Sequence, residues 1–336
     1  MIGRRALALG AAAMAAPAAR AQIKWYAKGT KERPVRFAGA GGVSLAGTLL
    51  LPLKSEIQYV PGVVLIAGSG PTDRDGNNPL VPVRIDLLKQ IAEVLAWAGI
   101  ASLRYDKRGI GASTSAPDTV SELERFFTWD NFIDDVKAAH AELLRHDEIK
   151  PYATALLGHS EGGLLALAAT STMKKPPHAV VLASTPGQTM HEIIRRQIAR
   201  SAPGLSHAAD RVMDDILRTG HTPADAPREL QLFAPYIGPF LQGAMAFDPA
   251  KVLTEIDVAC LLLHGGADGQ VVPLGDIQPL IDALTRRRGA GEALVVPAVS
   301  HNLKSVAGPT DAGFAGPLAP AIADKLTSWF GDLLGA

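Results

Sequence analysis

"LLGHSEGGLLAL", residues 156–167, places a serine between two glycines where an apolar run gives way to a helix-length segment. A strand turns into a helix this abruptly only where the turning residues carry little bulk. Gly158 and Gly162 stand two residues either side of Ser160, so the backbone can fold tightly and present the hydroxyl on the crest of the turn. A hydroxyl is a weak nucleophile until a base takes its proton and its approach is unhindered; the Gly-x-Ser-x-Gly spacing meets the second need. A helix beginning just after Ser160 has unpaired N-terminal amides that favour negative charge beside the serine, and the amide of Glu161 is placed to donate to an oxyanion. In a chain with 33 glycines the pattern alone is weak. Its position strengthens it, at the carboxyl end of an apolar strand, where open parallel sheets bind ligands.

Working outward, strand-like apolar runs at 62–68, 101–106, 153–158, 179–184, 258–265 and 293–298 alternate with amphipathic segments at 84–99, 131–147, 161–173, 275–288 and 318–334. This alternation predicts an α/β fold with a mostly parallel central sheet flanked by helices on both faces. Upstream, "RPVRFAGAGGVSLAGTLLLP" reads as two antiparallel strands joined by a glycine turn. The alternation breaks between residues 188 and 250, where Pro203, Pro223, Pro227, Pro235, Pro239 and Pro249 punctuate a helical, loop-rich stretch. It is too long for a simple connection and is expected to be a helical cap insertion over the sheet. The sheet-bearing domain then comprises residues 22–187 and 251–336.

At 336 residues and 47% hydrophobic, the chain can bury a sizeable core. Its 33 basic and 33 acidic residues balance without long runs of either sign, which argues against a nucleic-acid partner and favours a small neutral ligand. Residues 1–21 carry Arg4 and Arg5, an alanine-rich stretch and Ala19-Arg20-Ala21, the pattern of a cleavable export signal. Its apolar core of about 14 residues is too short and too weakly apolar for a membrane span, so no stable membrane anchor is expected. The paired arginines resemble a twin-arginine signal, with a Sec signal the alternative, and the expected location is periplasmic or secreted. Removal of this leader leaves 30 basic against 33 acidic residues, net −3. Cys260 is the lone cysteine and cannot form an intramolecular disulfide; within an apolar strand it reads as a small buried hydrophobe.

The chain resembles the α/β-hydrolase superfamily, and within it the bacterial esterases and serine-aminopeptidase-like hydrolases. The segments "AGSGPTDRDGNN" (67–78), "RYDKRGIGAS" (104–113), "GHSEGG" (158–163) and "LLLHGGADGQVVP" (261–273) carry the resemblance, in that family's order. The resemblance implies that the sheet-bearing domain is the catalytic domain, with a catalytic triad in the order serine, acid, histidine. Asp268, in the loop after the next-to-last strand, fits the acid better than Asp276, which belongs with the following helix. His301, after the last strand in "ALVVPAVSHNLK", fits the histidine. His159 is expected to pack beside the nucleophile and His264 to end a strand, while His140, His146, His178, His191, His207 and His221 fall on helix surfaces, loops or the insertion. The oxyanion donors are assigned to the amides of Glu161 and Ser69, with Gly70 the alternative to Ser69. Asp73, Arg74, Asp75, Asp106 and Arg108 are expected to fix loops through ion pairs. The Glu161 side chain can either cap its helix or select a substrate amine. With no HExxH and no paired CxxC, neither a metal nor an organic cofactor is expected. The implied activity is that of a serine esterase acting on small to medium acyl esters, with an aminopeptidase as the rival and a non-catalytic binder on the same fold as a more distant one.

Overall fold

The computed structural model describes residues 29–53, 59–308 and 310–335; the export signal expected at 1–21 lies outside them. Eight strands form one sheet: β1 (Gly29–Ala38), β2 (Ser44–Leu53), β3 (Val60–Ile66), β4 (Ala101–Tyr105), β5 (Ile149–His159), β6 (Ala179–Ala183), β7 (Ala259–Gly265) and β8 (Gly291–Val296). Their order is β1-β2-β4-β3-β5-β6-β7-β8. β1 pairs antiparallel with β2, and β2 antiparallel with β4; every later pairing is parallel. The described helices are α1 (Leu87–Trp97), α2 (Val120–Phe126), α3 (Trp129–Leu143), α4 (Glu161–Thr172), α5 (Met190–Ser201), α6 (Ser206–Thr219), α7 (Gly238–Ala246), α8 (Pro249–Glu255), α9 (Gln278–Arg286) and α10 (Pro320–Leu334). None is long and apolar enough to cross a membrane.

The central strands are apolar at nearly every position because both faces are covered. Successive side chains point to opposite faces, so Val64, Ile66, Leu156, Val180, Leu182, Cys260 and Leu262 pack toward α3, α4 and the helices after β6. Val63, Leu65, Ala155, Leu157, Val181, Leu261 and Leu263 pack toward α1 and α10. Truncating a leucine in either layer costs about 2–5 kcal/mol. Cys260 is fully buried, and burial pushes its thiol up to about 12, so it stays protonated.

Two elements depart from the sequence reading. The segment read as a helix from residue 84 becomes helical only at Leu87, because the amides of Ile85 and Asp86 are held by the Asn77 side chain at 2.8 and 3.0 Å. α2 is a short helix within a connection that carried no apolar period; it starts at Thr119, whose hydroxyl accepts from the Glu122 amide. His140 also differs from its expected surface position: it is buried in α3, with Nε2 2.9 Å from Thr154 Oγ1. Between β6 and β7, α5 to α8 replace the regular alternation. Val212, Met213, Ile216, Phe233, Phe240 and Met245 from this stretch join the core layer of α3 and α4.

Candidate active site

β5 ends at His159, α4 begins at Glu161, and Ser160 alone makes the turn, with φ 55° and ψ −121°. This is a strained conformation for a residue with a side chain, of the kind that costs about 1–3 kcal/mol and collects at functional sites. Its surroundings hold it there. The Ser160 amide donates to Ala183 O at 2.8 Å, and Ser160 O accepts from the Gly163 amide at 2.9 Å. The two flanking glycines are required by contact. A Cβ at Gly158 would run into the Gly162 backbone, and one at Gly162 into the carbonyls of Ile66 and Ala67.

The parallel sheet brings the loops after β3, β4, β7 and β8 to the same edge as this turn. In the loop after β7, Asp268 is buried, and its Oδ1 accepts from the amides of Gln270 and Val271 at 2.8 and 2.9 Å. Its Oδ2 lies 2.7 Å from His301 Nδ1. Burial works against the Asp268 charge, but the His301 hydrogen bond and charge, with the Val271 amide, outweigh it and hold the carboxyl below the usual carboxylate range. His301 therefore has its Nδ1 fixed by a carboxylate, and Nε2 is the ring nitrogen left to exchange a proton. Asp276 serves a different end: buried beneath α9, it accepts from the Val272 amide at 2.7 Å and pairs with Arg196 of α5.

Two more histidines surround this pair. His159 Nε2 donates to His301 O at 2.9 Å, and its ring lies 4.9 Å from that of His301, which ties the histidine loop to the residue preceding Ser160. Burial first, then the neighbouring His301, pushes His159 down to about 3, so it is a neutral packing element. His264 lies 3.3 Å from Asp268 Oδ2 and donates to Val271 O at 2.8 Å, a second support for the acid loop that its strand-end position alone did not indicate. Lys304, also missed, is fully buried and anchors the histidine loop to α1: its Nζ donates to Gln90 Oε1 and Gly316 O, both at 2.6 Å. Burial pushes its ammonium down to about 8.

Across the serine, Gly68, Ser69 and Gly70 follow β3. A Cβ on Gly68 would lie 3.4 Å from Ser160 Cβ, so this loop presses against the turn. Among the described residues, the amides of Ser69, Gly70 and Glu161 donate to no acceptor. The segment after β4 is the base plate for this loop. Arg104 pairs with Asp75 and Glu32, both at 2.8 Å. Asp106 accepts from the Arg74 amide and guanidinium at 2.9 and 2.6 Å and from the Ala112 amide at 2.8 Å. Arg108 grips Asp135 of α3 through two bonds of 2.7 and 2.8 Å. Lys107, between them, donates to Gly68 O at 2.6 Å and lies 3.6 Å from Glu161 Oε1. The sequence signal for Lys107 was available: a run of four ionic residues interrupted only by tyrosine at the carboxyl end of a central strand, where ligands sit.

A cavity of about 270 Å³ opens beside Gly70 and Glu161. Phe127, Phe132, Tyr236 and Phe240 line it, with Lys107, Arg108 and Glu161 the charged groups in its wall. Tyr236 and Phe240 come from the stretch between β6 and β7 and pack against Phe127 and Phe132, with ring centroids 5.6 and 5.1 Å apart.

Residues 84–304 match the sequence profile of the family described as Serine aminopeptidase, S33, which spans the serine turn, the acid and the histidine. The chain belongs to this family of α/β hydrolases. It is also 29% identical over 229 residues to Esterase EstD of Thermotoga maritima, a match covering 68% of this chain and 50% of that protein. The chain thus spans about half the length of the curated relative it matches. Two solved structures share the fold: Est1E from Butyrivibrio proteoclasticus with ferulic acid bound has a TM-score of 0.60 at 15% identity, covering 90% of this chain and 100% of that one. A hypothetical protein of Pseudomonas aeruginosa has a TM-score of 0.62 at 17% identity, covering 93% and 96%. The expectations of an α/β-hydrolase fold and of membership among these hydrolases both hold.

Proposed function

We propose that this hydrolase is a serine carboxylesterase that cleaves small to medium acyl esters through an acyl-enzyme on Ser160. The observation that carries the reading is the 2.7 Å bond between His301 Nδ1 and a fully satisfied, buried Asp268, on loops converging at the strained turn of Ser160. In this scheme His301 Nε2 takes the Ser160 proton as Oγ attacks the ester carbonyl carbon. The carbonyl oxygen becomes an oxyanion held by the amides of Glu161 and Ser69. The carbon–oxygen bond to the alcohol then breaks, and His301 returns the proton to the departing oxygen. Water, deprotonated by the same imidazole, releases the acid and restores the serine. Asp268 keeps the imidazole in the needed tautomer and stabilises its cation.

The aromatic cavity supports an apolar acyl group, with the stretch 188–250 acting as a cap that limits its length. Glu161 favours the ester reading over the aminopeptidase one. A carboxylate that recognises a substrate amine has to offer uncompensated negative charge, whereas Glu161 is already paired with Lys107. A non-catalytic binder would have no use for a hydrogen-bonded acid–histidine pair at a strained serine. We further propose export of the mature chain after removal of residues 1–21. A fluorophosphonate probe tests the chemistry: it is expected to label the wild type and not Ser160→Ala. Equal labelling of both would remove Ser160 from the mechanism.

A further inference from the structure

We infer that Lys107 is a positioning residue for the oxyanion hole: its ammonium clamps the carbonyl of the Gly68–Ser69 peptide and pairs with Glu161, so that one side chain orients both oxyanion donors. This deepens the serine-esterase reading and rests on it. A trans peptide points its C=O and N–H in opposite directions. The carbonyl end of the Gly68–Ser69 unit is fixed by Lys107 Nζ at 2.6 Å, which turns the Ser69 N–H away from Lys107. Gly68 lies in contact with the Ser160 turn, so the direction of that N–H sets what the serine's oxyanion meets. A cation on the carbonyl oxygen also polarises the amide and makes its N–H a better donor.

The second donor, the Glu161 amide, belongs to the residue whose carboxylate sits 3.6 Å from the same ammonium. The brace therefore spans the gap between the loop after β3 and the start of α4. Its other end is held rigidly: Lys107 follows Asp106 and precedes Arg108, each tied by several hydrogen bonds. Lys107 and Glu161 are both more than nine-tenths buried, yet the carboxylate has no hydrogen bond shorter than its 3.6 Å contact among the described residues. A pair placed for stability alone would be expected to close that distance. Here the ammonium is drawn to the Gly68 carbonyl instead.

The test compares wild type, Lys107→Met, Lys107→Gln and the double variant Lys107→Met/Glu161→Gln, the last leaving no lone buried charge. Loss of an oxyanion donor typically costs about 10²–10³ in turnover. Lys107→Met and the double variant are expected to lower kcat for p-nitrophenyl butyrate about 100-fold with KM changed less than about threefold. Lys107→Gln, one atom shorter but able to donate to Gly68 O, is expected to recover part of the loss. The Ki of a butyl trifluoromethyl ketone, whose serine adduct carries an oxyanion, should rise by the factor that kcat/KM falls. A crystal structure of the double variant should show the Gly68–Ser69 peptide rotated or disordered. A folded double variant with wild-type kcat and an unmoved peptide overturns the brace. Failure of the esterase reading gives a different result, turnover that survives Ser160→Ala, and the peptide orientation in the double variant then decides the brace by itself.

Discussion

Two buried carboxylate–base pairs flank Ser160, and they differ in what they leave free. Asp268 and His301 meet at 2.7 Å with every other lone pair on the acid's Oδ1 side occupied by amides, so the imidazole has a spare nitrogen and a route for a proton. Lys107 and Glu161 stand 3.6 Å apart, with the Lys107 nitrogen committed to a backbone carbonyl, so that pair has no spare nitrogen for proton transfer. In the serine-esterase reading, the same chemistry of acid and base serves transfer on one side and orientation on the other. What decides is whether the base retains an uncommitted nitrogen. Mutation should therefore separate the two sides by orders of magnitude. Ser160→Ala and His301→Ala are expected to lower kcat about a millionfold, and Asp268→Asn about 10⁴-fold, because the amide would favour the wrong tautomer. Protein quantified by absorbance and assayed on p-nitrophenyl butyrate gives the measurement; a tenth of wild-type turnover in Ser160→Ala would dismantle the transfer side.

A third pair, Arg108 with Asp135, sharpens the contrast: Arg108 borders the same cavity, but its guanidinium is bound to Asp135 and to the carbonyls of Phe126 and Ala40. Both residues are about 1% exposed. Arg108 also donates to Phe126 O at 2.9 Å and stacks over the Phe126 ring with its carbon 5.1 Å from the centroid. Burial pushes the Asp135 carboxyl above the usual range against the pull of Arg108. Removing the guanidinium strands that acid, so Arg108→Met is expected to lower the urea-unfolding free energy by about 3–5 kcal/mol. Arg108→Met/Asp135→Asn should regain much of it. A loss below about 1 kcal/mol in the single variant would mean that the pair is not a structural anchor.

The placing of Ser160, Asp268 and His301 on turns and loops at one edge of the sheet was legible in sequence because they sit in motifs with fixed order and spacing: Gly158-x-Ser160-x-Gly162, then Asp268 after one strand and His301 after the next. The sheet was legible for a related reason, since strands covered on both faces must be continuously apolar, as Val180–Leu182 and Leu261–Leu263 are. The orienting side was not. The ionic run at 104–108 flags Lys107 but not its contact with a backbone carbonyl, and its partner Glu161 is brought near only by the β4–β3–β5 order of the sheet. Arg196 and Asp276 are likewise 80 positions apart in the chain and meet only because α5 folds back onto the acid loop. Helix boundaries failed where side chains compete for the backbone, as Asn77 does ahead of Leu87.

Neutral buried histidines make the stability of the fold depend on pH. Burial and, more weakly, His178 push His140 down to about 4, while His159 falls to about 3. Both depressed values mean that the unfolded chain takes up protons below about pH 6.5 while the folded chain does not. Stability from these groups is thus complete above about pH 6.5 and declines as the pH falls toward the folded values. The slope is at most about 1.4 kcal/mol per pH unit for each histidine. Unfolding free energies measured at pH 7.0, 6.0 and 5.0 should fall accordingly, and His140→Gln should flatten the decline. An unchanged slope in that variant would show that His140 charges freely in the folded state.

The smallest effect concerns how the orienting side meets the acyl chain. Lys107 and Glu161 share the lining of the cavity, about 270 Å³, with Phe127, Phe132, Tyr236 and Phe240. Each methylene that enters such a space favours binding by about 0.8 kcal/mol, close to fourfold, until the space is filled. In the serine-esterase reading, kcat/KM for p-nitrophenyl esters should climb over the first few carbons and then fall, because a longer chain must displace the helices after β6. Tyr236 is half-buried and packs on Phe127 at 5.6 Å, so its removal enlarges the cavity while leaving the Trp129–Phe132–Phe240 cluster in place. Tyr236→Ala is therefore expected to move the optimum toward longer chains by about two carbons, with a several-fold loss on the shortest esters. An optimum that stays put would take the chain-limiting wall away from Tyr236, and a wild-type maximum at palmitate would mean an open, lipase-like site. Faster cleavage of aminoacyl anilides than of any ester would show that Lys107 does not neutralise Glu161 toward substrate amines, and would transfer the assignment to the aminopeptidase reading.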